Sequence, residues 1–225
     1  KDNFIKKIYL NGISNYQYLP KIFYLIYKNS FAKLEDFNLE IDQENIIKIE
    51  DNRRQKNIDI NHNFIDAKAS INYKGKKIKT KIRLKGDRKV HYENKNKSSY
   101  KLNISNKNVY KSLSSFSIQK PRIRNYIHEW IFHELAKEIG LISLDYDFVR
   151  LKINGESKGL FVIEESFSNT LLEKNNRRAG PIFGLNEDFE MGNFFEAKLD
   201  PYQVKYWLKP ENINIYLLAK NKLSS

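Results

Sequence analysis

Cationic side chains and a glycine are concentrated between Lys81 and Ile104, in the stretch KIRLKGDRKVHYENKNKSSYKLNI. The pattern predicts a strand at each end, with Arg83 on the first, Lys101 on the second, and Gly86 opening the polar loop between them. Cations beside a backbone that can approach closely, because glycine has no Cβ, could bind an anion such as phosphate. The alternative is that residues 85–97 form a solvated surface loop with a turn glycine.

A carboxylate on a predicted helix could complete such a site. The stretch KPRIRNYIHEWIFHELAKEIGL predicts one long helix that begins near Pro121 and is capped by Gly140. Glu134 and Glu138 fall in the middle of its apolar stripe, which consists of Ile123, Ile127, Trp130 and Ile131. An unpaired carboxylate is costly to bury, so Glu134 either reaches solvent, pairs with a structural arginine, or pairs with a lysine of the sheet that the helix covers.

Other familiar chemistries find little support in the residues. His128 and His133 are not spaced to share one helix face, and the HExxH motif is absent. The chain has no cysteine, which excludes a disulfide framework and thiolate metal sites. The stretch NEDFE could offer carboxylates to a hard cation, but it lacks the spacing of a calcium loop. No serine lies in a GxSxG elbow, so a hydrolase is not indicated, and we predict no protein-borne metal site.

The composition is that of one sizeable globular domain. The chain has 225 residues, of which 40% are hydrophobic, enough to build a core. The formal net charge is +13, but the lysines are spread along a sequence rich in Lys, Asn and Ile, a bias typical of AT-rich genomes. Without a recognised binding signature, this charge does not predict a nucleic-acid partner. No apolar run reaches the roughly 18 residues of a membrane span, and we expect the chain, which starts at Lys1, to be part of a longer protein.

The periodicity predicts how these residues are positioned. Alternation predicts a hairpin over residues 67–84 that turns at Lys74-Gly75, a strand over 98–104, and a second hairpin over 146–166 that turns at Asn154-Gly155. We divide the chain into an N-terminal extension (1–64) with one short strand, a compact domain (65–166), and a C-terminal segment or start of a second lobe (167–225). The predicted fold is α+β, an antiparallel sheet with one long packed helix. Its order of elements is that of a protein-kinase small lobe, with a partial or missing second lobe.

Four stretches resemble the CotH family of atypical secretory kinases: IRLKGDRKVH, SSYKLNI, FSIQKPRIRNYIHEWIFHEL and VRLKINGESKGLFVIEE. Arg83 and Gly86 match the family's loop and Lys101 its strand lysine. The matches further along the chain are Arg124, Asn154, Gly155, Gly159 and Glu165. Asp87 and Arg88 replace the asparagine and serine of many members, so the loop is divergent. The similarity covers roughly residues 65–185.

The resemblance implies ATP with magnesium as cofactors and transfer of the γ-phosphate to serine or threonine of a protein substrate. It implies that Lys101 neutralises phosphate charge, that Glu134 orients Lys101, and that Arg83 and the backbone at Gly86 approach the phosphates. Glu164 and Glu165 would lie in the segment that passes the adenine, and Glu129 is the alternative helix carboxylate. A cell-envelope or extracytoplasmic location is also implied.

A protein kinase needs a catalytic-base aspartate and a metal-binding aspartate, and the sequence after Glu165 contains only Asp188 and Asp200, neither in an HRD-like or DFG-like motif. We therefore expect this chain to be catalytically incomplete as it stands, and assign no catalytic residue. The alternatives are a non-catalytic relative that serves as a binding or structural module, and a basic domain that binds an anionic polymer.

Overall fold

The computed structural model describes Phe23 and residues 34–59, 61–86, 88–104, 108–186 and 198–224. Seven strands form a closed barrel with the order β1-β2-β3-β4-β5-β7-β6. They are β1 (Glu35–Glu40), β2 (Ala67–Tyr73), β3 (Lys76–Leu84), β4 (Tyr100–Ile104), β5 (Ser115–Gln119), β6 (Tyr146–Ile153) and β7 (Glu156–Glu165). Six of the seven pairings are antiparallel, and β1 with β6 is parallel.

The barrel interior is built from alternate residues of each strand, because successive side chains point to opposite faces. In β3 the inward residues Ile78, Ile82 and Leu84 are buried, and the outward lysines at 77, 79 and 81 are exposed. The alternation predicted for β3 and β4 is thereby confirmed. The other large, fully buried barrel side chains are Phe37, Leu39, Ile71, Leu102, Phe116, Ile118, Leu151 and Phe161.

The predicted fold class was wrong, because the sheet is closed and not an open kinase-like lobe packed against a long helix. Strand β1 closes the barrel, pairing with β2 on one side and with β6 on the other. The register joins Phe37 to Leu151, more than a hundred residues apart in sequence. From the sequence we assigned residues 35–40 to an N-terminal extension with one short strand, because alternation predicts a strand but not its partners.

The predicted helix was also wrong in length. Residues Pro121–Arg124 form a short 3-10 turn, and α2 begins only at His128 and ends at Glu138. Asn125 and Tyr126 between them have φ values of 51° and 63°, in the left-handed region, which breaks the helix. The buried residues of α2 are His133 and Ala136, so its inner face is not the apolar stripe predicted from the sequence.

The hairpin predicted at Asn154-Gly155 is confirmed, and Asn154 also fastens the parallel edge of the barrel. Both residues have positive φ, as a type I′ turn requires. The Asn154 side chain accepts a hydrogen bond from Ile41 N and donates one to Ile41 O, both at 2.8 Å. Its backbone N donates to Leu39 O at 2.9 Å. Asn154 thus extends the β1–β6 pairing beyond the last strand residue.

We expect Asn154→Asp to destabilise the protein by about 1–2 kcal/mol, because the substitution replaces the donor to Ile41 O by a carboxylate oxygen. Aspartate tolerates the left-handed backbone, so the loss measures the hydrogen bond rather than strain. Urea denaturation at pH 7 measures the change. Asn176→Asp is the matched control, since Asn176 is exposed and also has positive φ (55°). Equal effects in the two variants would contradict the assignment.

One end of the barrel is covered by α1 (Gln43–Ile58) and by the loop between β3 and β4. Arg53 of α1 is buried and donates to Tyr92 O and Ser98 Oγ of that loop, and its Nε lies 3.1 Å from Glu50 Oε2. Tyr92 is fully buried. The loop therefore folds back onto the barrel, although many of its side chains remain exposed.

The rest of the described chain contains α3 (Asn169–Lys174), the paired strands β8 (Phe183–Asn186) and β9 (Lys198–Pro201), α4 (Val204–Trp207) and α5 (Ile213–Ser224). Trp207 of α4 is buried. Within the described ranges, every helix is too short or too polar to cross a membrane.

Candidate anion-binding site

A row of polar side chains crosses the outer face of the barrel at the height of Lys101. The register places Arg83 opposite Lys101, Lys101 opposite Ser117, Ser117 opposite Glu164, and Glu164 opposite Tyr146. Residues directly opposite one another on adjacent strands share a face, so these side chains emerge on one side of β3, β4, β5, β7 and β6. The predicted pair Arg83 and Lys101 is thereby brought together.

Lys101 is the central cation of this row. Its Nζ donates to Ser166 Oγ, just beyond the end of β7. Burial, together with the positive charges of Lys85 and Arg83, lowers the pKa of Lys101 to about 8, and Glu164 opposes the shift. We call Arg83, Lys85 and Lys101 the cation cluster. An ammonium group that is partly desolvated among other cations favours an anionic ligand, because the ligand would offset their repulsion.

Glu164 supplies the carboxylate that balances part of this charge. Its side chain is 10% exposed, its Oε2 lies 3.4 Å from Lys85 Nζ, and Gln119 Nε2 donates to the same oxygen at 2.8 Å. Arg83 has a more distant carboxylate partner, since its Nε lies 4.0 Å from Asp66 Oδ1. Three cations therefore face two carboxylates, and the surplus is positive. Glu164 was assigned from the sequence only to the segment passing the adenine. Its place beside Lys85 depends on the β5–β7 pairing, which alternation does not reveal.

Under α2 the row continues into a buried polar layer. Gln119 Oε1, His133 Nε2 and Tyr146 Oη have no hydrogen-bond partner within the described part of the protein. Burial lowers the pKa of His133, despite the Glu129 carboxylate 3.7 Å from its Nε2, and raises that of Tyr146. Such unpaired buried atoms favour a bound polar molecule, because a buried donor or acceptor without a partner is costly.

Gly86 holds the loop close to the cation cluster. Its φ is +102°, and a Cβ at this position would lie 2.4 Å from Cγ of His91. The His91 ring in turn lies beside Ser99, with Nδ1 3.0 Å from Oγ. The absence of a side chain at residue 86 therefore lets the loop pack tightly, which is a structural reason for the glycine. Asp87 lies outside the described residues.

Two predicted site residues have other partners. Glu134 forms an ion pair with Lys137 at 3.1 Å, and no contact joins it to Lys101, both of which the structure describes. Glu165 is buried, accepts from Asp145 N at 3.1 Å, and pairs with Lys174 at 2.6 Å. The described carboxylate that pairs with a lysine of the cation cluster is therefore Glu164, and the residues that α2 buries are His133 and Ala136.

The match to a known family covers residues 71–216 and is to the CotH kinase protein family. This is well over half of the chain. The chain belongs to the CotH kinase protein family. No curated protein matches it. The CotH match contains the cation cluster, Glu164 and the α2 layer, whereas β1 and α1 lie before it.

Of the cofactors associated with CotH kinases, a nucleotide fits the residues of this site better than a metal ion does. The cation cluster and the adjacent loop suit the phosphate groups of a nucleotide, since they offer one guanidinium and two ammonium groups. For a metal ion the described ranges hold no group of three or more histidine or acidic side chains. Of the two aspartates singled out above, Asp200 is described, in β9, and Asp188 falls outside the described residues.

Proposed function

We propose that this chain binds the phosphates of Mg-ATP at the cation cluster and serves an atypical kinase that phosphorylates serine or threonine of a protein substrate. The observation that carries the proposal is the surplus of positive charge, three cations against Glu164 and the more distant Asp66, beside strands that the barrel holds in fixed register. Family membership supports the same activity. Phosphoryl transfer depends mainly on positioning and charge neutralisation, which this arrangement provides.

In this proposal each residue has a distinct part. Lys101 and Lys85 neutralise phosphate oxygens, and Arg83, which is less buried, adds a guanidinium at the edge of the cluster. Glu164 pairs with Lys85, and Gln119 positions Glu164 by donating a hydrogen bond to the same carboxylate oxygen. The magnesium ion enters with the nucleotide, coordinated by its phosphates, as is common for Mg²⁺. The acceptor base and any protein ligands of the metal are left unassigned.

The test is a calorimetric titration of Mg-ATP into the protein and into Lys101→Met. We expect binding that weakens about 10–100-fold in the variant, because a charge-assisted contact to phosphate contributes about 1.5–3 kcal/mol. Lys79→Met is the matched control, since Lys79 is an exposed lysine on the same face of β3. It should change the affinity less than twofold.

The same titration at pH 8 gives a second test, which is proton uptake on binding. An anion near Lys101 favours its charged form, so binding should take up as much as about half a proton, measured from two buffers of different ionisation enthalpy. No binding by the wild-type chain would overturn the proposal and favour a non-catalytic module. Equal losses in both variants, with binding that falls steeply with salt, would instead indicate a polyanion-binding surface.

A further inference from the structure

Ser166 is a hydroxyl placed directly against the central cation of the site. Its backbone N donates to Ser115 O at 3.1 Å, which fixes the residue beside the start of β5. Its Oγ contacts Lys101 Nζ, and the side chain is half-buried, so it is accessible from the cluster. A serine hydroxyl in contact with a lysine amine is one of the arrangements that activate a serine nucleophile.

We propose that Ser166 is a nucleophile that Lys101 activates, and that it takes up a phosphoryl group at the cation cluster. When Lys101 is an ammonium group, it donates to Ser166 Oγ. When Lys101 is a neutral amine, the same contact reverses, and the hydroxyl donates to the amine. The side chain of Lys101 can then accept the proton that Ser166 must lose in order to attack.

The choice of a phosphoryl group follows from the surroundings. Arg83 and Lys85 approach Lys101 from β3, and Glu164 faces it from β7. The two additional cations suit the oxygens of a phosphoryl group and would hold it once it was attached to Ser166. With a nucleoside triphosphate as donor, which rests on the proposed function, the product would occupy the place of the nucleotide phosphates and block further binding.

With a nucleoside triphosphate as donor, one P–O bond forms and one breaks. Oγ of Ser166 forms a bond to the γ-phosphorus, and the bond between this phosphorus and the β,γ-bridging oxygen breaks. The electron pair of that bond leaves with the nucleoside diphosphate. The hydroxyl proton moves to Nζ of Lys101, which becomes an ammonium group paired with the new phosphoserine. No redox change is involved.

The pKa of Lys101 suits this role. Burial and the charges of Lys85 and Arg83 lower it to about 8, so about half of the molecules carry a neutral amine at that pH. An unperturbed lysine would be almost entirely charged there and could not accept the proton.

The test uses a fluorophosphonate, a phosphoryl electrophile that needs no nucleotide site, with intact mass and peptide mapping as readouts. We expect labelling at Ser166 with loss of fluoride, at a rate that rises through pH about 8. Lys101→Arg keeps the charge but cannot act as a base, so it should slow labelling about 100-fold. Ser166→Ala should abolish the label, and Ser112→Ala, at an exposed serine remote from the cluster in sequence, should leave it unchanged.

Lys85→Met leaves Ser166 and Lys101 in place and removes one cation beside Lys101. This should raise the pKa of Lys101, so the pH at which the labelling rate rises should move upward. Absence of label at Ser166 in the wild-type protein, or a rate that is the same in Lys101→Arg, would overturn the inference. Protection by Mg-ATP separates this inference from the proposed function. Labelling that depends on Lys101 but is not slowed by Mg-ATP would contradict nucleotide binding alone, whereas Mg-ATP binding without labelling would contradict the nucleophile alone.

Discussion

Lys101→Met should make the protein more stable at pH 7, by about 1–2 kcal/mol. In the folded protein the ammonium group is partly desolvated and faces Lys85 and Arg83, so its charged form is disfavoured. Methionine has a similar length and carries no charge. Loss of the hydrogen bond to Ser166 offsets part of the gain. A residue that lowers stability in this way is typical of a site shaped for a ligand.

The sign of the pH dependence follows from the lowered pKa. Between about 8 and 10.5 the unfolded chain binds more protons at this residue than the folded one, so the stability of the wild-type protein rises with pH in that window. The gain in stability of Lys101→Met over wild type should therefore be largest below pH 8 and become smaller towards pH 10. Urea denaturation of both proteins across this range measures it, with Lys79→Met as the control that should stay within about 0.5 kcal/mol of wild type. A variant less stable than wild type at pH 7 would mean that the Ser166 contact outweighs the desolvation.

Lys174→Met should destabilise the protein by about 2–3 kcal/mol, because it leaves the buried carboxylate of Glu165 without its cation. The side chain of Glu165 is 2% exposed, and Lys174 Nζ lies 2.6 Å from it and 2.6 Å from Asp145 Oδ2. The hydrogen bond from Asp145 N to Glu165 remains and limits the loss. Lys137→Met is the matched control, since Lys137 also pairs with Asp145, at 3.4 Å, but reaches no buried carboxylate.

The pH dependence of this pair falls in the acid range, whereas that of Lys101 falls in the alkaline range. Burial alone would raise the pKa of Asp145, but the ammonium groups of Lys174 and Lys137 hold it below its usual range. Burial likewise opposes the raised pKa of Lys174, which Asp145 and Glu165 produce. Their stabilisation is thus fully present between about pH 4, where an unfolded aspartate ionises, and about pH 10.5, where an unfolded lysine loses its proton. The part due to Asp145 is lost as pH falls further, and the part due to Lys174 is lost as pH rises through its raised pKa. The difference in stability between wild type and Lys174→Met, measured by thermal unfolding, should become smaller in acid. A gap of the same size at pH 3 and pH 7, or an equal loss in Lys137→Met, would contradict this account.

Local features of the fold were predictable, and long-range ones were not. The faces of β3 and β4 and the turn at Asn154-Gly155 follow from alternation and from residues that accept positive φ. The partner of β1 could not be predicted, because a strand's sequence does not state which strands flank it. The break before α2 was missed because its apolar spacing continues through Asn125 and Tyr126, whose backbone departs from the helix.

The site was predictable to a similar extent. Arg83 and Lys101 could be placed together because both flank one loop and one hairpin register joins them. Glu134 was chosen because it lay on an apparent stripe of the long helix, and the shorter α2 presents His133 and Ala136 inward instead. Glu164 and Ser166 reach Lys101 through the order of β4, β5 and β7. That order depends on tertiary packing and left no signal in the spacing of the residues.

The closing role of β1 has a consequence for how the domain is delimited. The segment shared with the CotH kinase family begins at residue 71, inside β2, and so excludes β1, α1 and the first half of β2. A polypeptide cut to those limits would leave β6 and the remainder of β2 as open edges with unpaired backbone N–H and C=O groups. Exposed edges of this kind recruit further strands from neighbouring molecules and lead to aggregation. The cooperative folding unit therefore starts upstream of the shared segment, at or before Glu35.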